Sequence, residues 1–346
     1  VRHESLTSSI IGVNAITETQ TSEQTGIRPV NLRTDLGPLA DLIEIAFQKA
    51  LDDNGRAAIR EMRYMSRMGV GLNVLGRLNQ MTVGISLGYV YIVDGKLVGN
   101  ASIYPANYPD DMRPAWIIAN VATHPSYHRR GIARRLMQAS LQMIASKSGD
   151  AILQVDYDNT AAIKLYESMD FVKERAFTTW WRSTLASAPP HADQHDLYIT
   201  HPRRKDWQSE YQLAHELRPN RRGGIAWLQP VHPRLFNPTL WQRIGQWFSM
   251  TGTERLIVRD EETRAIDATL WIETGLALAR TRLTLMARPQ AFYPTAEALL
   301  STALRRFRTT AFVIDHPHDD LQADALLRRY RFYPHRTVWH MRWHGA

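Results

Sequence analysis

The stretch that most constrains this chain runs from Asn120 to Met137. Trp116-Ile117-Ile118-Ala119-Asn120-Val121 is an apolar, β-branched run of strand length, and Pro125 ends it. From Ile132 the apolar residues fall at Ile132, Leu136, Met137, Leu141 and Ile144, the spacing of one helix face. Between strand and helix lies His128-Arg129-Arg130-Gly131-Ile132-Ala133. A helix that starts at such a turn presents unpaired backbone N–H groups and the positive end of its dipole, so it suits an anion. Gly131 and Ala133 allow a phosphate close to the backbone, and Arg129, Arg130, Arg134 and Arg135 surround it with charge. An ordinary strand–turn–helix with a solvated basic rim has the same ingredients, so the turn alone does not define a site.

The neighbouring segments fall into register around it. Gly88 to Val93, Asp94-Gly95 and Lys96 to Tyr104 read as a hairpin, because Asp-Gly between alternating runs is a strong turn signal. Ile27 to Leu32 reads as a first strand, with Asp35 as cap of a helix carrying Leu39, Leu42, Ile43 and Phe47. Residues 50–80 read as mixed helix and loop. After the helix to about residue 147 comes a buried strand, Ala151 to Val155, and then Asp156-Tyr157-Asp158-Asn159-Thr160-Ala161-Ala162-Ile163-Lys164-Leu165-Tyr166. Strands are expected at 171–175 and 177–184, and Ser187-Ala188-Pro189-Pro190-His191 reads as a boundary.

The string from Val121 to Ala133 resembles the acetyl-CoA-binding motif of the GNAT-type N-acetyltransferase superfamily: strand, Val-x-x-x-Pro, Arg/Gln-x-x-Gly-x-Gly/Ala, helix. Val121, Pro125, Gly131 and Ala133 fit, and His128 replaces the usual first Arg or Gln. One strand later, Asn159, Ala162, Leu165, Tyr166 and Phe171 match a second motif of that family, with Asp170 where Gly is usual. Asp tolerates a left-handed helix end better than most residues. The resemblance is specific from about Asp94 to Arg182. It implies that the strand backbone at Val121, Ala122 and Thr123 holds the pantetheine arm and acetyl group. The turn from His128 through Arg129, Arg130, Gly131, Ile132 and Ala133 to Arg134 would take the pyrophosphate, and Asn159 and Ala162 would contact the coenzyme arm. Tyr166 would protonate the leaving thiolate, a role suited to a phenol near the sulfur. Without the motif it reads as one more aromatic on an apolar helix face. The base is open: Asp156 is a candidate, although capping of the next helix is the favoured role for it. Asn120 suits orienting a water, and His124 suits shaping the loop.

The second half looks like a worn copy of the first. Leu256-Ile257-Val258 and Ile266 to Ile272 echo the hairpin, Arg282 to Met286 the motif-bearing strand, Ala296 to Phe307 its helix, and Phe312 to Asp315 the next strand. Asp319 to Tyr330 reads as the next helix, and Arg331-Phe332-Tyr333 parallels Asp170-Phe171-Val172. The turn Arg288-Pro289-Gln290-Ala291-Phe292-Tyr293-Pro294 lacks glycine, and its prolines remove amides. The expected fold is α/β in the α+β sense: two tandem GNAT-like domains, each with a mixed, mostly antiparallel central sheet flanked by helices. Residues 1–26 are a flexible extension, 27–186 the acetyltransferase domain, 187–194 a linker and 195–346 a GNAT-like domain that has lost coenzyme binding.

Composition bounds the chemistry. The chain of 346 residues, 44% hydrophobic and 22% charged, has material for two cores. It has no cysteine, so disulfides, thiolate metal sites and a cysteine nucleophile are excluded. Its 13 histidines form no metal-ligand spacing, and no metal is expected. No run approaches the roughly 20 apolar residues of a membrane span. Val1 to Gly26 lacks the apolar core of a secretory signal, and a start without Met fits processing or trimming. A cytoplasmic protein is the default expectation. The net charge of +8 suits an acidic ligand such as a nucleotide coenzyme. Scattered arginines without a zinc-finger or aromatic RNA-binding signature make nucleic acid the lesser reading. The expected activity is acetyl transfer from acetyl-CoA to a primary amine by direct attack. The acceptor would be a small amine, an aminoglycoside-like molecule, an amino-sugar thiol precursor, or a protein N-terminus or lysine. The alternative is a non-catalytic acyl-CoA sensor or interaction protein on the same fold.

Overall fold

Asp94 and Gly95 both take left-handed backbone, φ +48° and +73°, as a tight two-residue hairpin turn requires. They join β2 (Leu87–Val93) to β3 (Lys96–Ala106). The computed structural model describes residues 25–48, 53–68, 87–187, 197–238, 251–260, 262–275, 280–307 and 309–345. In the first half β1 (Gly26–Pro29), α1 (Leu36–Phe47) and α2 (Asp53–Met68) precede the hairpin. After it come β4 (Ala115–Thr123), α3 (Ile132–Ala145), β5 (Asp150–Asp156), α4 (Thr160–Glu167) and β6 (Val172–Arg182). The second half repeats the plan. It runs β7 (Ile199–Thr200), α5 (Trp207–Leu217), α6 (Pro233–Phe236), β8 (Thr251–Arg259), β9 (Ile266–Gly275) and β10 (Thr281–Ala287). It closes with α7 (Phe292–Arg306), β11 (Phe312–Pro317), α8 (Leu321–Arg329) and β12 (Tyr333–Trp343). The helix ends also match: Asp170 (φ +65°) follows α4 and Arg331 (φ +63°) follows α8, each before a buried phenylalanine.

The twelve strands of the described residues form one sheet, in the order β1-β2-β3-β4-β5-β12-β6-β11-β10-β9-β8-β7. It is antiparallel except at β4–β5 and β10–β11. The last strand of each half is lodged against the other half: β12 pairs with β5, and β6 with β11, while β6 and β12 pair with each other. Their side chains follow. Met341 of β12 is buried in the core of the first half with Leu153 and Tyr166, and Trp180 of β6 is buried in the second with Phe312 and Leu326.

Several local readings change. The segments expected as two strands at 171–175 and 177–184 form the single strand β6, because β12 and β11 flank it on both sides. Asp35 does not cap α1 with its side chain. It accepts from the Asn31 N–H at 2.7 Å and pairs with Arg28 at 2.7 Å, so it fixes the loop before the helix. β1 is shorter than the run from Ile27 to Leu32, and α3 ends at Ala145 rather than 147. Residues 1–24 of the expected extension, 188–194 of the linker and 50–52 and 69–80 of the mixed segment lie outside the described residues.

Two histidines at the seam between the halves set an acid response. His316 and His340 are each 2% exposed. Burial, joined at His316 by Arg218, pushes their pKa down to about 4 and about 3. An unfolded histidine takes a proton near pH 6.5, so below that value the unfolded chain binds more protons and stability falls as pH falls. Each neutral histidine costs about 1.4 kcal/mol per pH unit within that window. The urea midpoint is therefore expected to drop steadily from pH 7 to pH 5, and His340→Gln to lessen the slope. A midpoint constant over that range would contradict the assignment.

Candidate active site

β4 and β5 pair only from Ala115 to Ile117 against Asp150 to Ile152. Beyond that point the two parallel strands separate, and β5 pairs on its other side with β12. From Ile118 to Thr123 the β5-facing edge of β4 has no strand partner among the described residues, so its backbone groups face a wedge. On its other side β4 carries a bulge. Asn100 pairs with Ala122 but Ser102 with Ala119, and Asn120 sits at φ +51°. The bulge is pinned by Asn100, which is fully buried; its amide donates to the Asn120 carbonyl at 2.9 Å and to Ser102 Oγ at 3.1 Å. Asn100 Oδ1 and Thr123 Oγ1 are buried without partners among the described residues. Asn100 is a residue the sequence reading missed. Its signal was an amide inside an otherwise apolar strand, Val98-Gly99-Asn100-Ala101.

At the wide end of the wedge the turn curls around its own amides. Arg129 and Gly131 are left-handed, at φ +63° and +73°, an alternation that points successive N–H groups into one concavity. Among the described residues the N–H groups from Arg129 to Arg134 have no backbone acceptor; the first to be satisfied is that of Arg135, by the Gly131 carbonyl at 3.1 Å. A Cβ at Gly131 would meet nothing within 4 Å, so the concavity is open. The arginines divide. Arg134 donates to Ser168 at 2.7 Å, Arg135 to the Tyr91 hydroxyl at 2.6 Å, and Arg130 lies 4.9 Å over the Tyr127 ring. Arg129 is without a side-chain partner among the described residues. His128 ties the turn to β4 through Nε2 and the Thr123 carbonyl at 2.9 Å, and His124 shapes the loop by accepting from the Ser126 N–H.

α4 borders the same end. Asn159 is its cap, its Oδ1 accepting from the Ala162 N–H at 3.1 Å. That overturns the favoured role for Asp156, which instead takes Arg336 of β12 at 2.6 Å. Tyr166 is 7% exposed, its ring 5.8 Å from that of Phe171. Its hydroxyl makes no hydrogen bond among the described residues, and burial pushes its pKa up to about 12, so it stays protonated at neutral pH.

The second half has the corresponding fork, but it is bridged. β10 and β11 pair only from Thr281 to Leu283 against Phe312 to Ile314. Beyond them Arg218, 4% exposed, donates to the Leu285 carbonyl of β10 at 3.1 Å and to His316 Nδ1 of β11 at 3.3 Å. His316 Nε2 donates in turn to Asp320 at 2.9 Å. β10 pairs with β9 without a bulge, Pro289 and Pro294 offer no N–H, and Phe292 is buried at the start of α7. Nothing in the sequence around Arg218 marks it out from the other arginines.

Residues 79–171 match the family model described as Acetyltransferase (GNAT) family. Among solved structures, a GCN5-related N-acetyltransferase from Sphaerobacter thermophilus is similar over 92% of this chain and 96% of its own, at 13% identity and a TM-score of 0.57. A tandem GNAT protein from the clavulanic acid biosynthesis pathway is similar over 93% and 99%, at 15% identity and a TM-score of 0.50. At these identities the likeness is one of fold. No curated protein sequence gives a significant match. The first half thus contains a stretch that matches the GNAT acetyltransferase family model, and the chain has the fold seen in a tandem GNAT protein. Among the described residues no helix is long and apolar enough to cross a membrane.

Proposed function

We propose that the protein transfers an acetyl group from acetyl-CoA to a primary amine at a single site, the β4–β5 wedge of its first half. The run of unbonded amides from Arg129 to Arg134, opening beside an unpaired strand edge, is the observation that carries this reading. The pyrophosphate would lie in the turn, held by backbone N–H groups and the dipole of α3, with Arg129 adding charge. The pantetheine amides would pair with the free edge of β4 around Val121 to Thr123 as a further strand does, Thr123 Oγ1 being a candidate additional partner.

The thioester then lies near the vertex of the fork. A neutral amine attacks its carbonyl carbon, and a β4 N–H stabilises the oxyanion that forms. Collapse breaks the C–S bond, and the departing thiolate takes the phenolic proton of Tyr166. The nitrogen proton passes to solvent. A buried phenol held protonated is a competent donor for that step. His128 acts here by fastening the turn to β4, and Asn159 and Ala162 by organising the start of α4. The second fork, bridged by Arg218 and lacking a bulge, takes no coenzyme. Release of free thiol from acetyl-CoA across a panel of amines tests the proposal. Thiol release that depends on the amine supports it, and binding of acetyl-CoA without release from any amine would favour a sensor.

A further inference from the structure

A cavity of about 290 Å³ opens where the halves meet, at the end of β4 and β5 opposite the wide mouth of the wedge. The first half supplies Tyr108, Arg113, Asp150 and Glu174 to its wall; the second supplies Arg221 and Arg342, with Gly223 and Gly224 beside them. Its contents are polar and mostly committed. Arg342 bridges Glu174 at 2.5 Å and Asp150 at 3.3 Å, and Arg113 takes Asp150 at 3.0 Å and the Gly345 carbonyl at 2.6 Å. Both carboxylates are thereby neutralised. Lys173, also in the wall, is held by Glu167 at 2.8 Å. Arg221 is left with no ion pair or hydrogen bond among the described residues. Tyr108 accepts from Arg342 at 3.4 Å, which leaves its own proton to donate; burial raises its pKa and keeps that proton in place.

This cavity adjoins the closed end of the wedge through a short run of contacts. A Cβ on Gly223 would lie 3.2 Å from His340 Nδ1, and His340 Nε2 is 3.0 Å from Gln154 Nε2. Gln154 stands on β5 just past Ile152, the last residue paired with β4. Trp227 and Leu228 of the same loop pack with Ile117 and Ile152 at the vertex itself. A pocket with an uncommitted guanidinium, a phenolic donor and internally paired carboxylates selects a compact anion.

We propose that this cavity anchors the acceptor, taking a carboxylate or phosphate carried by the amine on Arg221 and the Tyr108 hydroxyl. This rests on the wedge being the acetyl-transfer site. It makes the acceptor class an anionic amine rather than a polycation, and it gives the second half a part in the reaction without a coenzyme of its own.

The test has two readouts. Calorimetric titration of O-phosphoethanolamine and of β-alanine into the full chain, with and without acetyl-CoA, reads the anion site directly. At least one should bind, and Arg221→Ala should weaken it about ten-fold, with Arg221→Lys recovering part of the loss. Thiol release then compares these amines with propylamine and putrescine. The anionic amines should be preferred, and Arg221→Ala should raise their KM about ten-fold while leaving kcat and the propylamine rate unchanged. Failure to bind either anionic amine, or equal loss with every amine, overturns the anchor. Thiol release from propylamine without anionic preference overturns the anchor but leaves the transferase standing, whereas an anion site without acetyl-CoA binding does the reverse. Arg221 is exposed on a short loop, so the variants are expected to fold.

Discussion

Replacing Tyr166 by phenylalanine is expected to lower turnover about a hundred-fold or more and to leave acetyl-CoA affinity where it was. The change removes one oxygen from a ring that packs with Phe171, Leu153 and Met341, so the packing is retained. The hydroxyl forms no hydrogen bond among the described residues, so its loss leaves no partner stranded. The thiolate must then leave unprotonated or draw its proton from water, and kcat and kcat/KM fall together. Thiol release at saturating acetyl-CoA, with the best amine of a panel, measures the effect, and calorimetry gives the affinity. Unchanged turnover would remove Tyr166 from the acid role and return it to the core. The corresponding site in the second half supports the contrast: Asp320 caps α8 as Asn159 caps α4, and seven residues on stands Leu327, with no proton to give.

Ending the chain before Tyr333 is expected to abolish folding of both halves rather than of the second alone. β12 lies between β5 and β6, pairing with β5 from Val338 to Trp343 and with β6 from Tyr333 to Arg342. Without it β5 becomes an open edge, and Leu153 and Val155 lose the cover of Met341 and Trp339. Burying a side chain such as Met341 is worth about 1.5–3 kcal/mol, the half-buried Trp339 adds part of that again, and the paired hydrogen bonds come in addition. That is a large share of the 5–15 kcal/mol typical of a folded domain. A chain stopping at residue 186 meets the same difficulty, since β6 then has neither β11 nor β12. Circular dichroism and a urea titration test this. The whole chain should unfold in one transition reporting on both halves, and the truncated chain should show none. A first half that unfolds cooperatively by itself would contradict the interlocked sheet.

Much of the backbone shape of the candidate site was legible in the sequence because its signals are local. Gly131, Pro125 and the Asp94-Gly95 turn fix backbone conformation within a few residues, and the structure places them as a sequence reading expects. The near-repeat of strands and helices was legible for the same reason: each element carries its own period. What escaped was contact between segments far apart in the chain. The capture of β12 by β5 involves residues separated by some 190 positions, and alternation alone does not say which edge a strand will join. Arg218 is one arginine among many until the fold brings it between Leu285 and His316. Asp156 and Asn159 are three residues apart and equally suited to a cap by composition; only the partner Arg336, from the far end of the chain, decides between them.

One titration tests the central claim most directly: acetyl-CoA into the full chain, followed by calorimetry, with Gly131→Val as its control. A β-branched residue at φ +73° is strained by about 1–2 kcal/mol and turns the amides away from the concavity, while its side chain meets open space. One site per chain is expected, weakened at least about ten-fold by the substitution, with the unfolding curve little changed. Two equal sites per chain, or a single site indifferent to Gly131, would contradict the account.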